Sequence, residues 1–280
     1  MPRKQRFHLL SLAMVIFITD ACHSVKTMQS TNGLGTEQSA AKADVAKKDQ
    51  INAAQDIDGF FFGVSLDHSA RVAWFVKLNT KTGSGSLYVP PGPVKLSEVK
   101  INTNGQLTFR SDAAFGDVVY EFSGLVSQAR IQGTIRRIRP KSVEDAEELI
   151  LNRLNMNYAI GDNNAKVSGM YSNVKYIEES GDLVGKEVIL IQTSEGLAGI
   201  LTSYEGEPSD PYALTNAEVS GKSLRFAIQT RNGTENYEGL FSANRIKLKR
   251  VDIQNLPSEV LINKKSPAEV LNVSKARKAK

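Results

Sequence analysis

Apolar and polar residues alternate with a period of two along much of the chain after residue 56. Leu224, Phe226 and Ile228, for example, alternate with polar or small residues. Such alternation places one set of side chains on a buried face and the other set in solvent, so it predicts antiparallel strands. Turn pairs such as Asn232-Gly233 separate the segments and predict a meander of short strands.

The body of the chain is predicted to be an internal duplication. Residues 57–139 and 167–253 share a template, which is clearest where residues 124–131 match residues 239–246. A repeat of this length indicates domain-sized units. We therefore predict an all-β fold with two tandem related antiparallel β-meander modules, each a small barrel or a sandwich. The sequence leaves open whether the modules close separately or share one composite sheet.

Two short runs, Val72 to Val76 and Val188 to Ile191, are apolar at consecutive positions. A strand that is buried on both faces has this pattern, so both runs are predicted to lie centrally in their sheets.

One linking helix is predicted between the modules, over residues 141–161. Ala146, Leu149, Ile150 and Leu154 recur there at helical spacing. A second, short helix is predicted to begin after Ser266, because Pro267 and Glu269 then occupy the positions of a capped first turn.

The N-terminus has the layout of an export signal. Arg3, Lys4 and Arg6 precede a short apolar run over residues 7–18. A membrane-spanning helix needs roughly 20 apolar residues, so this run predicts a signal peptide. Cys22, the only cysteine of the chain, follows directly.

The stretch Thr19-Asp20-Ala21-Cys22 resembles the processing site of bacterial lipoprotein signal peptides. The resemblance implies that Cys22 becomes the first mature residue and carries acyl chains, which anchor the protein to a membrane. His23, where an aspartate would favour retention in the inner membrane, implies the outer membrane, facing the periplasm. Thr19 and Asp20 depart from the pattern, which leaves ordinary cleavage without lipidation as the alternative.

The domain organisation follows from these features and from the polar stretch that precedes the first module, which has too few apolar residues to fold. We predict a signal peptide (1–21), a flexible tether (22–56), β module 1 (57–140), the linking helix (141–161), β module 2 (162–256) and a basic C-terminal tail (257–280).

The formal net charge of +5 is a property of the tail. Residues 264–280 contain six basic residues and one acidic residue, a net of +5. The positive charge is therefore not that of a folded nucleic-acid-binding surface, and we expect no nucleic-acid partner.

The residue types needed for most catalytic chemistry are missing from the body of the sequence. His68 is the only histidine beyond the predicted tether, and it is predicted to lie in a turn. With a single cysteine, no Cys/His zinc site can be drawn, and the segment 181–187 departs from a phosphate-binding loop. We therefore expect a protein that is not an enzyme and has no cofactor.

Two charged groups are candidates for binding. Glu205, Glu207 and Asp210 share one predicted loop, which fits either a solvated loop or a site for calcium or a cationic group. Basic stripes on two predicted strands fit either solubilising charge or contact with anionic lipid; they are Arg136, Arg137 and Arg139, and Arg245, Lys247 and Lys249.

Five aromatic residues are candidates to line a ligand cavity: Trp74, Phe109, Phe122, Phe226 and Tyr237. If the modules were roomy barrels, these side chains would face an apolar ligand, whereas strands this short favour a filled core.

The modules, with their Gly-aromatic openings and alternating strands, are similar to small lipocalin-like barrels of bacterial envelope proteins. This similarity implies no particular ligand. We expect an envelope lipoprotein with a non-enzymatic binding or assembly role through its β modules. The alternative is a lipocalin-like carrier of an apolar small molecule or lipid. The expected partners are the membrane, through the lipid on Cys22, and an envelope protein or an apolar ligand; the oligomeric state is not determined by the sequence.

Overall fold

The structure, a computed structural model, describes residues 57–127, 130–155 and 167–273. Within these residues the fold is all-β, which confirms that part of the predicted fold class. The first nine strands are β1 (Gly59–Asp67), β2 (Ala70–Asn79), β3 (Ser84–Val89), β4 (Gly92–Ile101), β5 (Gln106–Ser111), β6 (Val119–Ser127), β7 (Arg130–Arg139), β8 (Ser142–Val143) and β9 (Glu147–Arg153). A single 3-10 turn, Phe115–Asp117, precedes β6.

Eight of these strands form a closed antiparallel barrel, here called the first barrel. Neighbouring strands pair in chain order from β1 to β7, and β9 closes the barrel by pairing with both β7 and β1. The inward side chains form one apolar cluster. An eight-stranded barrel is just wide enough for side chains to fill its interior, and that is how this interior is occupied.

Ten further strands lie outside the first barrel. The short strand β8 extends β7. The other nine are β10 (Gly169–Ser172), β11 (Lys175–Ile177), β12 (Asp182–Thr193), β13 (Gly196–Pro208), β14 (Tyr212–Ser220), β15 (Ser223–Thr230), β16 (Gly233–Ser242), β17 (Arg245–Arg250) and β18 (Glu259–Lys265).

The strand β10 and the strands β12 to β18 also form a closed circuit in which each strand pairs with two neighbours. We call this circuit the second ring. Strands β12 to β18 pair in chain order, while β10 pairs with β12 on one side and with β18 on the other. The strand β11 pairs with β12. A second apolar cluster fills the inside of the ring.

The first barrel and the second ring have the same register at their centres. Phe109 pairs directly with Phe122 across β5 and β6, and Phe226 pairs with Tyr237 across β15 and β16. Both pairs are stacked, with ring centroids 4.9 Å and 5.2 Å apart. The two hairpins therefore present equivalent pairs of side chains to their interiors.

A bulge lies at the same point of the two units. The register of β4 shifts opposite Phe109, and the register of β14 shifts opposite Phe226. Each bulge contains one residue with a left-handed backbone, Glu98 (φ 58°) and Asn216 (φ 51°). Such a conformation is uncommon for residues other than glycine, so its presence in both bulges indicates a shared way of bending the sheet.

A third apolar cluster lies between the first barrel and the second ring. Ala73 and Phe75 of β2 contribute their outward side chains to it, as do Ile189 and Ile191 of β12. All four are at most 1% exposed. This packing explains the two continuous apolar runs: their inward residues fill a barrel or ring, and their outward residues join the two units.

The linking helix predicted over residues 141–161 is wrong for the residues that the structure describes, because β8 and β9 occupy this range up to residue 153. Leu149 and Leu151 are buried, whereas Ile150 between them is 40% exposed, which is a period of two. Closure of the first barrel requires a strand here, and the pairing of β9 on both sides overrides the weak helical spacing.

The short C-terminal helix is confirmed as α1 (Pro267–Val270), with the Ser266 and Glu269 side chains forming a capping box. The predicted start of the basic tail, at residue 257, is corrected. Residues 259–265 form β18, which closes the second ring, and Leu261 is fully buried in its interior.

Candidate functional site at the open end of the second ring

The five aromatic residues proposed as ligand-lining are all core residues. Trp74, Phe109 and Phe122 belong to the cluster inside the first barrel, and Phe226 and Tyr237 belong to the cluster inside the second ring. Each is only 3% exposed. Side chains therefore occupy both interiors at the depth of these aromatic residues, and Tyr237 alone of the five also lines the cavity at the end of the second ring that is described below.

One end of the first barrel is closed by its own side chains. The Trp74 ring packs edge-on against Tyr120, with centroids 5.5 Å apart. Its indole Nε1 donates a hydrogen bond of 2.8 Å to the Ser65 hydroxyl, and the Arg137 guanidinium lies over the indole ring at 5.8 Å. These side chains fill the space that a ligand would occupy at this end.

Arg137 holds an ionic cluster together over this end. Its side chain is only 6% exposed, and its guanidinium lies within 3.4–3.8 Å of four carboxylates: Asp67, Glu144, Glu147 and Asp210. Three of the four belong to the first barrel or its connections, and Asp210 comes from the loop between β13 and β14. A buried cation is tolerated only when it is paired in this way.

The second ring supplies a further cation to this cluster. Arg231, in the turn between β15 and β16, pairs with Asp67 and lies 3.6 Å from Asp210. Burial opposes ionisation of Asp67, but the hydrogen bond from Arg231 and the charge of Arg137 outweigh it and lower the pKa of Asp67. Burial dominates at Glu147, where it raises the pKa.

The corresponding end of the second ring is open. A cavity of about 500 Å³ is lined there by inward residues of seven strands and by loop residues. The barrel and the ring carry different residues at equivalent positions around this end. The pairs, first barrel before second ring, are Trp74 and Lys186, Tyr120 and Glu235, Ile135 and Arg250, and Leu149 and Glu259.

Register establishes these equivalences. Ile135 pairs with Phe122, and Arg250 pairs with Tyr237, so each lies opposite one member of the stacked aromatic pair. Tyr120 and Glu235 stand two positions before the same aromatic residues. Four charged residues thus replace four large apolar or aromatic ones, and this end is open.

The charged side chains at the open end are paired with one another. The Lys186 ammonium binds the Glu259 carboxylate, and the Arg250 guanidinium lies 2.9 Å from Glu235. The Tyr237 hydroxyl donates a hydrogen bond of 2.7 Å to the same Glu235 carboxylate. Burial, with this hydrogen bond, raises the pKa of Tyr237, which therefore remains a neutral donor.

Two further carboxylates give the open end a negative balance. Glu205 and Glu207, at the end of β13, line the cavity and are exposed. No ion pair to either is recorded among the described residues. Four carboxylates and two cations line the cavity, so its formal charge is −2. The half-buried ring of Tyr212 forms one wall, and burial raises its pKa.

A buried carboxyl group also lies between the first barrel and the second ring. Glu187 of β12 is 4% exposed and accepts a hydrogen bond from the Tyr88 hydroxyl of β3. Burial raises the pKa of Glu187 to about 7. Tyr204 of β13 completes this group and hydrogen-bonds with Tyr88.

The structure divides the charged groups that the sequence placed together. In the predicted acidic loop, Glu205 and Glu207 face the cavity, whereas Asp210 joins the Arg137 cluster. The predicted outward stripe of Arg136, Arg137 and Arg139 is wrong at Arg137, which points into the first barrel. The alternation of β7 contained this signal, because Arg137 shares the parity of the inward Ile131 and Ile135.

Sequence reasoning missed Lys186, Glu235, Arg250 and Glu259 as site residues. Each resembles an ordinary surface charge in the sequence, and only a comparison of the two repeats position by position could have identified them. His68, predicted to lie in a turn, does so between β1 and β2.

Cys22, the predicted lipidation site, lies outside the described residues, as do the predicted signal peptide and tether. Within the described residues, no helix has the length and hydropathy to cross a membrane, and no group of three or more histidine, cysteine or acidic side chains is arranged to hold a metal ion. Comparison with protein-family models, with curated protein sequences and with solved structures finds no match to this chain.

Proposed function

We propose that this protein is a non-enzymatic binding protein of the bacterial cell envelope, and that it binds a small polar ligand at the open end of the second ring. The observation that carries this proposal is the difference between the two equivalent ends: one is filled by Trp74 and its neighbours, and the other is a cavity of about 500 Å³. Cavities of this size at the mouth of a barrel are common sites for small molecules.

We infer that the second ring is a duplicate of the first barrel, as the two related modules of the sequence predict. The equivalent stacked aromatic pairs and the equivalent bulges support this inference. In a duplicated fold, one copy can retain stability while the other acquires a site. The first barrel then supports the molecule, and the second ring binds.

The lining of the cavity favours a ligand with a cationic group. Its formal charge of −2 and the two carboxylates at its rim, Glu205 and Glu207, attract a cation, and the Tyr212 ring offers an apolar wall. An apolar ligand would have to remove water from these charged groups, which is unfavourable. The carrier of an apolar molecule is therefore the weaker alternative.

The location in the envelope rests on the signal-peptide layout and on Cys22. An acyl anchor on Cys22, followed by a polar tether, would hold the binding unit away from a membrane surface. The anchor and the binding site are separate parts of this proposal.

Native mass spectrometry of the full chain, isolated from a bacterial envelope, tests the binding proposal. The chain is compared with Lys186→Trp, which places the residue of the closed end in the open one, and with Glu195→Gln, an exposed control outside the cavity. We expect a bound small molecule on the original chain and on the control, and none on Lys186→Trp. Identical spectra for all three proteins, without a bound molecule, would refute the proposal.

A further inference from the structure

A wide groove crosses the outside of the first barrel. Its floor is the outward face of β9, its sides are β1 and β7, and the segment after β8 forms one end. The groove has a volume of about 1,120 Å³ and shares no lining residue with the cavity. The groove and the cavity adjoin at Arg231, which lines the groove and lies between the cavity-lining residues Thr230 and Asn232.

Three large apolar side chains are exposed in this groove. Leu66 of β1 is 64% exposed, Val143 of β8 is 61% exposed and Ile150 of β9 is 40% exposed. Scattered single apolar residues are normal on a protein surface, whereas several that line one groove mark an interaction site. Strand pairing explains the exposure of Leu66 and Ile150, which occupy outward positions of the barrel wall, while Val143 lies in β8 at the edge of β7.

The groove is also acidic. Five carboxylates and two guanidinium groups line it, and Arg137 pairs with three of these carboxylates, so the formal charge of the group with Arg137 included is −2. The guanidinium groups of Arg139 and Arg231 are already paired, with Glu144 and Asp67 respectively. Asp145 and Glu148 are exposed beside Val143 and Ile150, and no ion pair to either is recorded among the described residues.

We propose that this groove docks a positively charged amphipathic segment of a protein partner. Such a segment has apolar side chains that cover Leu66, Val143 and Ile150, and lysine or arginine side chains that reach Asp145 and Glu148. Its charge complements that of the groove, which speeds association and selects against acidic partners. The apolar and the acidic residues of the groove lie along β9 and the segments beside it, so one extended segment can contact both.

Fluorescence anisotropy with three labelled peptides of equal length tests this proposal on the full chain. The peptides alternate lysine with leucine, glutamate with leucine, and lysine with serine. We expect saturable binding of the lysine–leucine peptide and at least about tenfold weaker binding of the other two. Raising the salt concentration weakens the binding, since part of it is ionic.

Matched variants assign the binding to the groove. We expect two groove variants each to weaken binding of the lysine–leucine peptide by roughly tenfold. The first, Ile150→Ser, loses apolar burial, and the second, the double variant Asp145→Lys and Glu148→Lys, reverses the charge. The control variants Leu240→Ser and Glu195→Lys remove a leucine that is 52% exposed and an exposed carboxylate of the second ring, and we expect them to leave the affinity unchanged.

Two results would overturn the docking proposal: absence of saturable binding by the lysine–leucine peptide, or equal binding by the groove variants and the original chain. Lys186→Trp separates this proposal from that of the small ligand. We expect Lys186→Trp to abolish binding of the small ligand and to leave the affinity for the lysine–leucine peptide unchanged.

Discussion

Arg137 is the residue on which the closed end of the first barrel depends. Its buried charge is offset by carboxylates from two parts of the chain, Glu147 of β9 and Asp210 of the loop before β14. The Nε atom of Arg137 has no hydrogen-bond partner among the described residues. The carboxylates therefore offset the charge of the guanidinium but leave one of its hydrogen-bond donors unpaired. Breaking this cluster is costly, because the mostly buried Glu147 carboxylate would be left without a cation.

Replacing Arg137 therefore has a large expected effect. Arg137→Met leaves Glu147 without a cation and removes one of two cations from Asp67, Glu144 and Asp210, so it should lower the free energy of unfolding by about 1–3 kcal/mol at neutral pH. The matched control is Arg136→Met, on the exposed face of the same strand, for which we expect a change within about 0.5 kcal/mol. Urea denaturation measures both. Equal effects of the two substitutions would contradict the inward placement of Arg137.

Among the elements, β9 shows how closure of a barrel overrides a local pattern. Apolar residues at 146, 149, 150 and 154 fit one face of a helix, and the segment is short enough for either structure. The strand is favoured because it supplies backbone partners to both β7 and β1, whose edges would otherwise be unpaired.

A comparison of adjacent residues tests this strand. Leu149→Ala opens a cavity in the filled interior and should cost about 2–5 kcal/mol of the free energy of unfolding. Ile150→Ala, at a position that a helix would bury equally, should cost about 1 kcal/mol or less because the side chain is 40% exposed. Thermal or urea denaturation compares them, and a larger effect at Ile150 than at Leu149 would be inconsistent with a strand.

At the scale of the whole molecule, the first barrel and the second ring share a buried interface. Outward residues of β2 and β3 pack against those of β12 and β13, and Val270 of α1 and Leu271 directly after it complete the cluster. The interface contains the Tyr88, Glu187 and Tyr204 group, and the Thr202 hydroxyl is buried there without a hydrogen-bond partner among the described residues. The charge facing Glu187 from β18 is that of Lys265.

The stability of the molecule should therefore fall as the pH rises through the range in which Glu187 ionises. Burial raises the pKa of Glu187 to about 7 from a usual value of 4.5, so the folded state holds a proton that the unfolded state has released between these values. Stability declines over this interval, by roughly 3 kcal/mol, and is constant outside it for this group.

The substitution Glu187→Gln removes this pH-dependent contribution to the free energy of unfolding, and the glutamine side-chain oxygen can still accept the hydrogen bond from Tyr88. We expect the variant and the original chain to have similar stability at pH 4, and the variant to be more stable at pH 8. Urea denaturation across this range, with Glu195→Gln as the exposed control, measures the difference. A pH profile that is the same for all three proteins would show that Glu187 is not a buried titrating group.

Much of the fold could be predicted from the sequence because alternation is a local property. The parity of residues such as Phe109, Phe122 and Tyr237 determined which side chains face an interior, and the turn residues set the strand ends. The candidate site was predicted only in part: Tyr237 was identified, but its charged neighbours at the open end were not.

The sequence by itself thus determined that the chain forms short antiparallel strands, since a period of two and well-placed turns need no distant partner. The tertiary structure decided which short segment became the closing strand, which end was filled and which stayed open, and where Arg137 and Glu187 lie. These outcomes depend on side chains brought together from distant parts of the chain, and burial and pairing across such distances leave no local pattern in a single sequence.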